Sequence, residues 1–166
     1  MITKDQLLAA MQRECDICAH LHGKIPDGSM DFRFTAKQRS TLELLQYLSF
    51  VGTGFATAVV DSSWDPYAEL AKASESLAAE DFPAAMDKQK QDLADLFAKV
   101  TDEDLATKEF TQPWGHTQKL GHALQELAYA SLVAYRMQLF LHAKAAGNDE
   151  ISTPNCWAGV DMPPPA

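Results

Sequence analysis

The stretch Gly121-His-Ala-Leu-Gln-Glu-Leu-Ala-Tyr-Ala-Ser-Leu-Val-Ala-Tyr-Arg-Met-Gln-Leu-Phe-Leu-His-Ala-Lys-Ala-Ala-Gly147 decides the fold. Its stripe Leu120, Leu124, Leu127, Ser131, Tyr135, Gln138 and His142 advances in steps of three and four, which places those side chains along one face of an α-helix. Tyr129, Leu132, Val133, Leu139, Phe140 and Leu141 put apolar surface on the other faces. A helix apolar around most of its circumference is covered on more than one side, and a second copy of the chain, in a homodimer, is the expected source of part of that cover.

Working outward, the same spacing recurs. Leu8, Met11, Cys15, Cys18 and His22 predict a first helix over roughly 4–22, ended by Gly23 and Pro26. Thr35-Ala-Lys-Gln38 has the pattern of a capping box and is read as the start of the second helix. The stripe of that helix is Leu42, Leu45, Leu48, Gly52, Phe55 and Val59, and two mid-helix glycines are expected to let a neighbouring backbone come close. Residues 61–80 read as a long crossover carrying a short helix of its own. Asp81 is placed as the cap of a third long helix whose inner face is Phe82, Met86, Gln89, Leu93, Leu96 and Val100. Thr101-Asp-Glu-Asp104 starts one more turn, and Lys108 to Trp114 reads as an extended loop closed by Pro113 and Gly115. Together these predict an all-α chain, a four-helix bundle with a long crossover connection over 1–147, followed by a tail, 148–166, lying on the surface or partly disordered.

Charge narrows the function classes. Fourteen Lys and Arg against 23 Asp and Glu give a net charge of −9, which repels phosphate backbones and anionic bilayers, so neither nucleic acid nor membrane is an expected partner. The charged start, Met1-Ile-Thr-Lys-Asp5, lacks the apolar run of a signal peptide. The longest uncharged stretch, Leu44 to Val60, is polar and short for a bilayer span. Three cysteines do not make a secretory disulfide framework, so a reducing, cytoplasmic setting is expected. Ser-His-Asp order, Gly-rich phosphate loops and His-Glu-x-x-His are lacking.

Three segments carry a resemblance. Arg39-Ser-Thr-Leu-Glu-Leu-Leu-Gln-Tyr-Leu-Ser49, Pro113-Trp114-Gly115, and Tyr135-Arg136-Met137-Gln138 with Gly147 behind it resemble, in order and spacing, the DinB/YfiT-like family over roughly 4–147. The resemblance implies an intracellular four-helix bundle that dimerises and holds a divalent metal, zinc or nickel, through one histidine of the second helix and a His-x-x-x-His pair of the last. At those places this chain carries Tyr47, Ser131 and Tyr135. A neutral phenol, with a reference pKa of about 10, and an alcohol are poor ligands beside imidazole.

The expectation is therefore a small-molecule binder or scaffold with no cofactor, its pocket formed by the hydroxyls of Tyr47, Ser131 and Tyr135, with Arg136 and Gln138 of the family's Arg-x-Gln beside them, holding neighbouring helices. The family-based alternative is a metal-dependent thiol S-transferase or hydrolase. Cys15, Cys18 and His22, on one helical face, are a further candidate metal set, weighed against plain core packing. His116 is placed at the start of the last helix, His122 one turn inside it and His142 on the core stripe near its end, each read as a satisfied structural or surface residue, with a charged His142 favoured by the helix C-terminus as the alternative.

Overall fold

The computed structural model describes residues 2–162; Pro163-Pro164-Pro165, the end of the predicted tail, lies outside the described residues. Helix α1 is Lys4–His22, with the boundaries the spacing predicts. Thr3 starts it: its hydroxyl accepts from Gln6 N at 3.2 Å, and the Gln6 amide oxygen accepts from Thr3 N at 3.0 Å. This reciprocal pair satisfies two otherwise orphaned donors.

Helix α2 is Thr41–Asp61, and it begins later than expected. Thr35-Ala-Lys-Gln38 forms only a turn, Gln38 N donating to Thr35 O at 3.1 Å. The working capping box is Ser40 with Glu43, at 3.2 and 2.7 Å. Arg33 forks onto the Glu43 carboxylate at 2.9 and 3.2 Å, so the second hydroxyl-x-x-acid pattern is reinforced by charge where the first is not.

Helix α3, Asp65–Ser74, lies within the crossover. A 3-10 turn at Ala79–Asp81 leads into α4, Phe82–Phe97, and Asp81 precedes it without making the side-chain cap bond expected of it. Phe82, Met86, Gln89, Leu93, Leu96 and Val100 are all buried, as their spacing predicts. Helix α5, Asp102–Thr107, is capped by Thr101 and Asp104.

The predicted loop after α5 is instead one arm of a hairpin. Strands β1, Glu109–Thr111, and β2, Thr117–Lys119, pair antiparallel with Phe110 opposite Gln118. His116 therefore sits in the hairpin turn and not at a helix start, its carbonyl accepting from Gln112 N at 2.8 Å. The last long helix runs through 120–145 as α6 (Leu120–Ala123), a π-helical segment (Leu124–Tyr129) and α7 (Ala130–Ala145). Gln112 and Gln118 reach from the hairpin to Glu126 in the π segment, donating to one carboxylate oxygen at 3.0 and 2.7 Å.

Beyond Gly147 the chain is more ordered than a surface tail. It forms α8, Thr153–Ala158, which packs on α1 and α7 and buries Ile151, Asn155 and Cys156. The four long helices α1, α2, α4 and 120–145 form the bundle, with α1 against α4 and α7, and α2 against α3, α4 and α7.

Helix α2 owes its position to its two inner glycines. What approaches them is side chain, not backbone. A Cβ at Gly52 would lie 2.8 Å from Leu132 Cδ1 and 3.0 Å from Gln89 Oε1; one at Gly54 would lie 2.9 Å from Tyr67 Cδ2. Through the first gap Gln89 accepts from Thr53 N and donates to Leu48 O, both at 3.0 Å. Gly52→Ala therefore trades a helix-propensity gain of about 1 kcal/mol against overpacking of about 1–3 kcal/mol. We expect net loss of stability in urea denaturation; an unchanged or raised midpoint would show that Leu132 and Gln89 yield freely.

Candidate functional site

Tyr47 of α2 and Tyr135 of α7 meet edge to face, with ring centroids 4.6 Å apart. Each stands on the face its helical register dictates, so the two positions read from the family spacing do converge. The Arg39 guanidinium, carried by the last loop residues before α2, lies 4.0 Å from the Tyr47 ring centroid and 5.6 Å from that of Tyr135. A cation over a ring face is attracted by its quadrupole, so Arg39 is held in place by the rings.

This group borders an open cleft of about 330 Å³ between α2 and α3, lined by Arg39, Glu43, Gln46, Tyr47, Phe50, Tyr67, Ala71, Ser74 and Glu75. Phe50 and Tyr67 stand 5.3 Å apart, Phe50 and Tyr47 5.5 Å, and Tyr67 continues into Phe55 and Trp64 at 5.0 and 5.7 Å. Gly54 is what lets the Tyr67 ring settle onto α2.

Several polar groups of the lining are already engaged. Glu43 takes the Arg33 fork and the Ser40 amide, which hold its carboxyl below the usual range. The Gln46 amide donates to the carbonyls of Glu75 and Leu77, and the Ser74 hydroxyl to Ala71 O. Burial, and then the neighbouring phenols of Tyr67 and Tyr135, push the Tyr47 hydroxyl well above the ordinary tyrosine value. Tyr47 is thus a neutral phenol at any physiological pH, able to donate or accept a hydrogen bond but not to act as an anionic ligand.

Of the predicted site residues only Tyr47 lines the cleft itself: Tyr135 backs it, Ser131 is half-buried one helical turn before Tyr135, and neither Ser131 nor Gln138 is in the lining. Arg136 is buried, 2% exposed, on a different face of α7. Its Nε stands 3.0 Å from Glu14 Oε2, and its Nη1 donates to Cys156 O at 2.6 Å, while its guanidinium carbon lies 5.1 Å from the exposed Trp157 ring. Neither Arg136 Nε nor Glu14 Oε2 finds an aligned hydrogen bond, so their contact is an ion pair without the directional component. Arg136 ties α1, α7 and α8 together.

Cys15 and Cys18 are closed in the core. Burial first, then nearby negative charge, raises the Cys15 thiol to about 12 and the Cys18 thiol well above its ordinary value. His22 stacks beside Phe82 at 5.6 Å. Among the described residues no group of three or more His, Cys, Asp or Glu side chains is placed to hold a metal ion.

The structure is similar to that of a DinB-like protein, YjoA, from Bacillus subtilis, with a TM-score of 0.70 over 89% of this chain and 96% of that one, at 17% sequence identity. The chain has a DinB-like fold. Neither a protein-family model nor a curated protein matches it. In this DinB-like bundle the residues missed by sequence reasoning are Arg39, Phe50 and Tyr67. Tyr67 falls in a segment that reads as a connection, and the aromatic density of Trp64 and Tyr67 was its one available signal.

His142 is the structural residue its place on the core stripe predicts, and its ring is not the charged one that the helix end would favour. It is fully buried, with Nδ1 3.2 Å from Thr41 Oγ1, the rings of Phe32 and Phe34 at 5.6 and 4.9 Å, and Nε2 without a partner. Desolvation outweighs the helix end and holds its pKa below 6.5, and burial does the same, as the largest cause, to His20 and His22. The folded state then binds fewer protons than the unfolded state below that value, so stability falls as pH drops through 6.5 towards the folded values. Denaturation midpoints should decline over this window, less steeply in His142→Gln; a flat profile would contradict the burial of these rings. Arg136→Met leaves Glu14 buried without its partner and should cost about 3–5 kcal/mol in urea unfolding, much of it recovered in the double variant with Glu14→Leu. A loss below about 1 kcal/mol, the scale of an exposed pair, would contradict the buried tie.

Proposed function

We propose that this DinB-like bundle is a small-molecule binder, or a scaffold built on such a site, whose ligand enters the cleft between α2 and α3 and meets Tyr47. The observation that carries the reading is the Tyr47–Tyr135 ring contact lying beneath Arg39 at the edge of an open, aromatic-walled cleft. Clefts of a few hundred Å³ with aromatic walls and a few polar groups with free valences are the usual shape of such sites.

The reading dispenses with the divalent metal that the resemblance implies. Its support is the chemistry of the donors. A neutral, desolvated phenol is a weak ligand for zinc or nickel, and a guanidinium placed over that phenol opposes a second cation beside it. The alternative, a metal-dependent thiol S-transferase or hydrolase, needs that metal to activate a thiol or water. The chain's own buried cysteines, with raised pKa values, are not poised to supply a thiolate.

Elemental analysis of protein purified without a histidine tag should find zinc and nickel well below one per chain, unchanged in Tyr135→Ala. Near-stoichiometric metal that disappears in Tyr135→Ala would replace this reading with the metal-dependent one.

A further inference from the structure

Within the cleft, the groups with unspent bonding capacity are few. Arg39 is exposed and, among the described residues, has no carboxylate within ion-pair distance, although the chain carries 23 acidic residues. The nearest in sequence, Glu43, is taken by Arg33. The Arg39 guanidinium carbon stands 4.0 Å from the Tyr47 ring centroid, and among the described residues its N–H groups make no side-chain hydrogen bond or ion pair, so its fork is free. A fork held in this way gives up less rotamer freedom when it binds. Beside it stand the Tyr47 ring, Phe50 and Tyr67.

Resting on the small-molecule reading above, we infer that the cleft takes a carboxylate on an aromatic or flat apolar body, the carboxylate on the free edge of Arg39 and the body against Tyr47, Phe50 and Tyr67. A planar carboxylate matches the guanidinium fork with two parallel hydrogen bonds. The wall it would lie along is built of three rings in a chain of edge contacts, Tyr47 to Phe50 and Phe50 to Tyr67. A cationic ligand is disfavoured at the same place because Arg39 already occupies the Tyr47 ring face and would be its neighbour. Glu75 also borders the cleft, yet it is exposed and held by no side-chain contact, so it is a solvated charge where Arg39 is a positioned one.

Titration calorimetry with phenylacetate and with its neutral counterpart phenylacetamide tests the assignment on the full chain. The acid should bind roughly tenfold more tightly than the amide, the discrimination expected of one charge-assisted pair at a solvent-accessible site. Arg39→Gln, a surface substitution, should erase that preference and leave the weaker, shared affinity. Tyr67→Ala should weaken both probes while keeping their ratio. Equal binding of acid and amide by the native chain would overturn the carboxylate assignment and leave the small-molecule reading standing. A preference that survives in Arg39→Gln, or affinities untouched by Tyr67→Ala, would overturn the placement in this cleft. Binding of neither probe would overturn both the assignment and the reading it rests on.

Discussion

The closeness with which side chains approach the backbone of α2 is the constraint on which both core and cleft depend. Gly52 and Gly54 sit in the middle of a helix, where glycine costs roughly 1 kcal/mol relative to alanine. Each opens a space that another element fills. Gln89, from α4, enters beside Gly52 and bonds to two backbone groups of α2, so a buried amide is satisfied on both sides. On the nearly opposite face the ring of Tyr67 settles beside Gly54 and becomes part of the cleft wall. One short glycine pair thus fixes the packing of the bundle and the aromatic surface of its candidate site.

The Glu14–Arg136 pair answers a different need. Burying two charges is costly, and the attraction between them seldom returns more than the desolvation takes away. Here the geometry is poor for a hydrogen bond, and the carboxyl is pulled upward by burial more than Arg136 lowers it. Extra stability is therefore a weak account of why the pair is there. Its effect is to fix where α8 docks: Arg136 bonds to the Cys156 carbonyl and lies under Trp157, so a segment of only six residues acquires one defined seat against α1 and α7. The C-terminal stretch is part of the folded unit for that reason.

What the sequence disclosed and what it hid follow the same logic. The first helix was legible to its ends because Thr3 and Gln6 cap it locally and Met11, Cys15 and Cys18 repeat at helical spacing. The start of α2 was misplaced because two similar capping patterns lie five residues apart, and Ser40 is favoured over Thr35 by Arg33, whose fork on Glu43 lies outside the four-residue capping pattern itself. Three-residue strands have too few alternations to show a period of two, so the hairpin was invisible, and the π-helical segment preserves the apolar spacing of an α-helix. The convergence of Tyr47 and Tyr135 was legible through the family spacing. That Arg136 turns away from them was not, because a neighbouring position on a helix points some 100° apart and its partner, Glu14, comes from the far end of the chain.

The elements around the cleft also differ in how firmly they are held. Helix α3 has no buried residue, whereas α2 buries much of its length. It is attached through the rings of Trp64 and Tyr67 and through the Gln46 amide, which clasps the carbonyls of Glu75 and Leu77 just beyond its end. Segments with few buried apolar contacts open at lower free energy than the core they rest on. Moving α3 outward would part these ring edges, the seat of Tyr67 on Gly54, the two Gln46 hydrogen bonds and the close approach of α3 to α2 along its length, while leaving the core beneath α2 intact. The wall that carries Tyr67 is therefore the more exposed side of the cleft. The wall that carries Tyr47 is rigid, backed by Tyr135 and by the central helix, and Arg39 sits on that rigid side, where a positioned charge discriminates best between ligands.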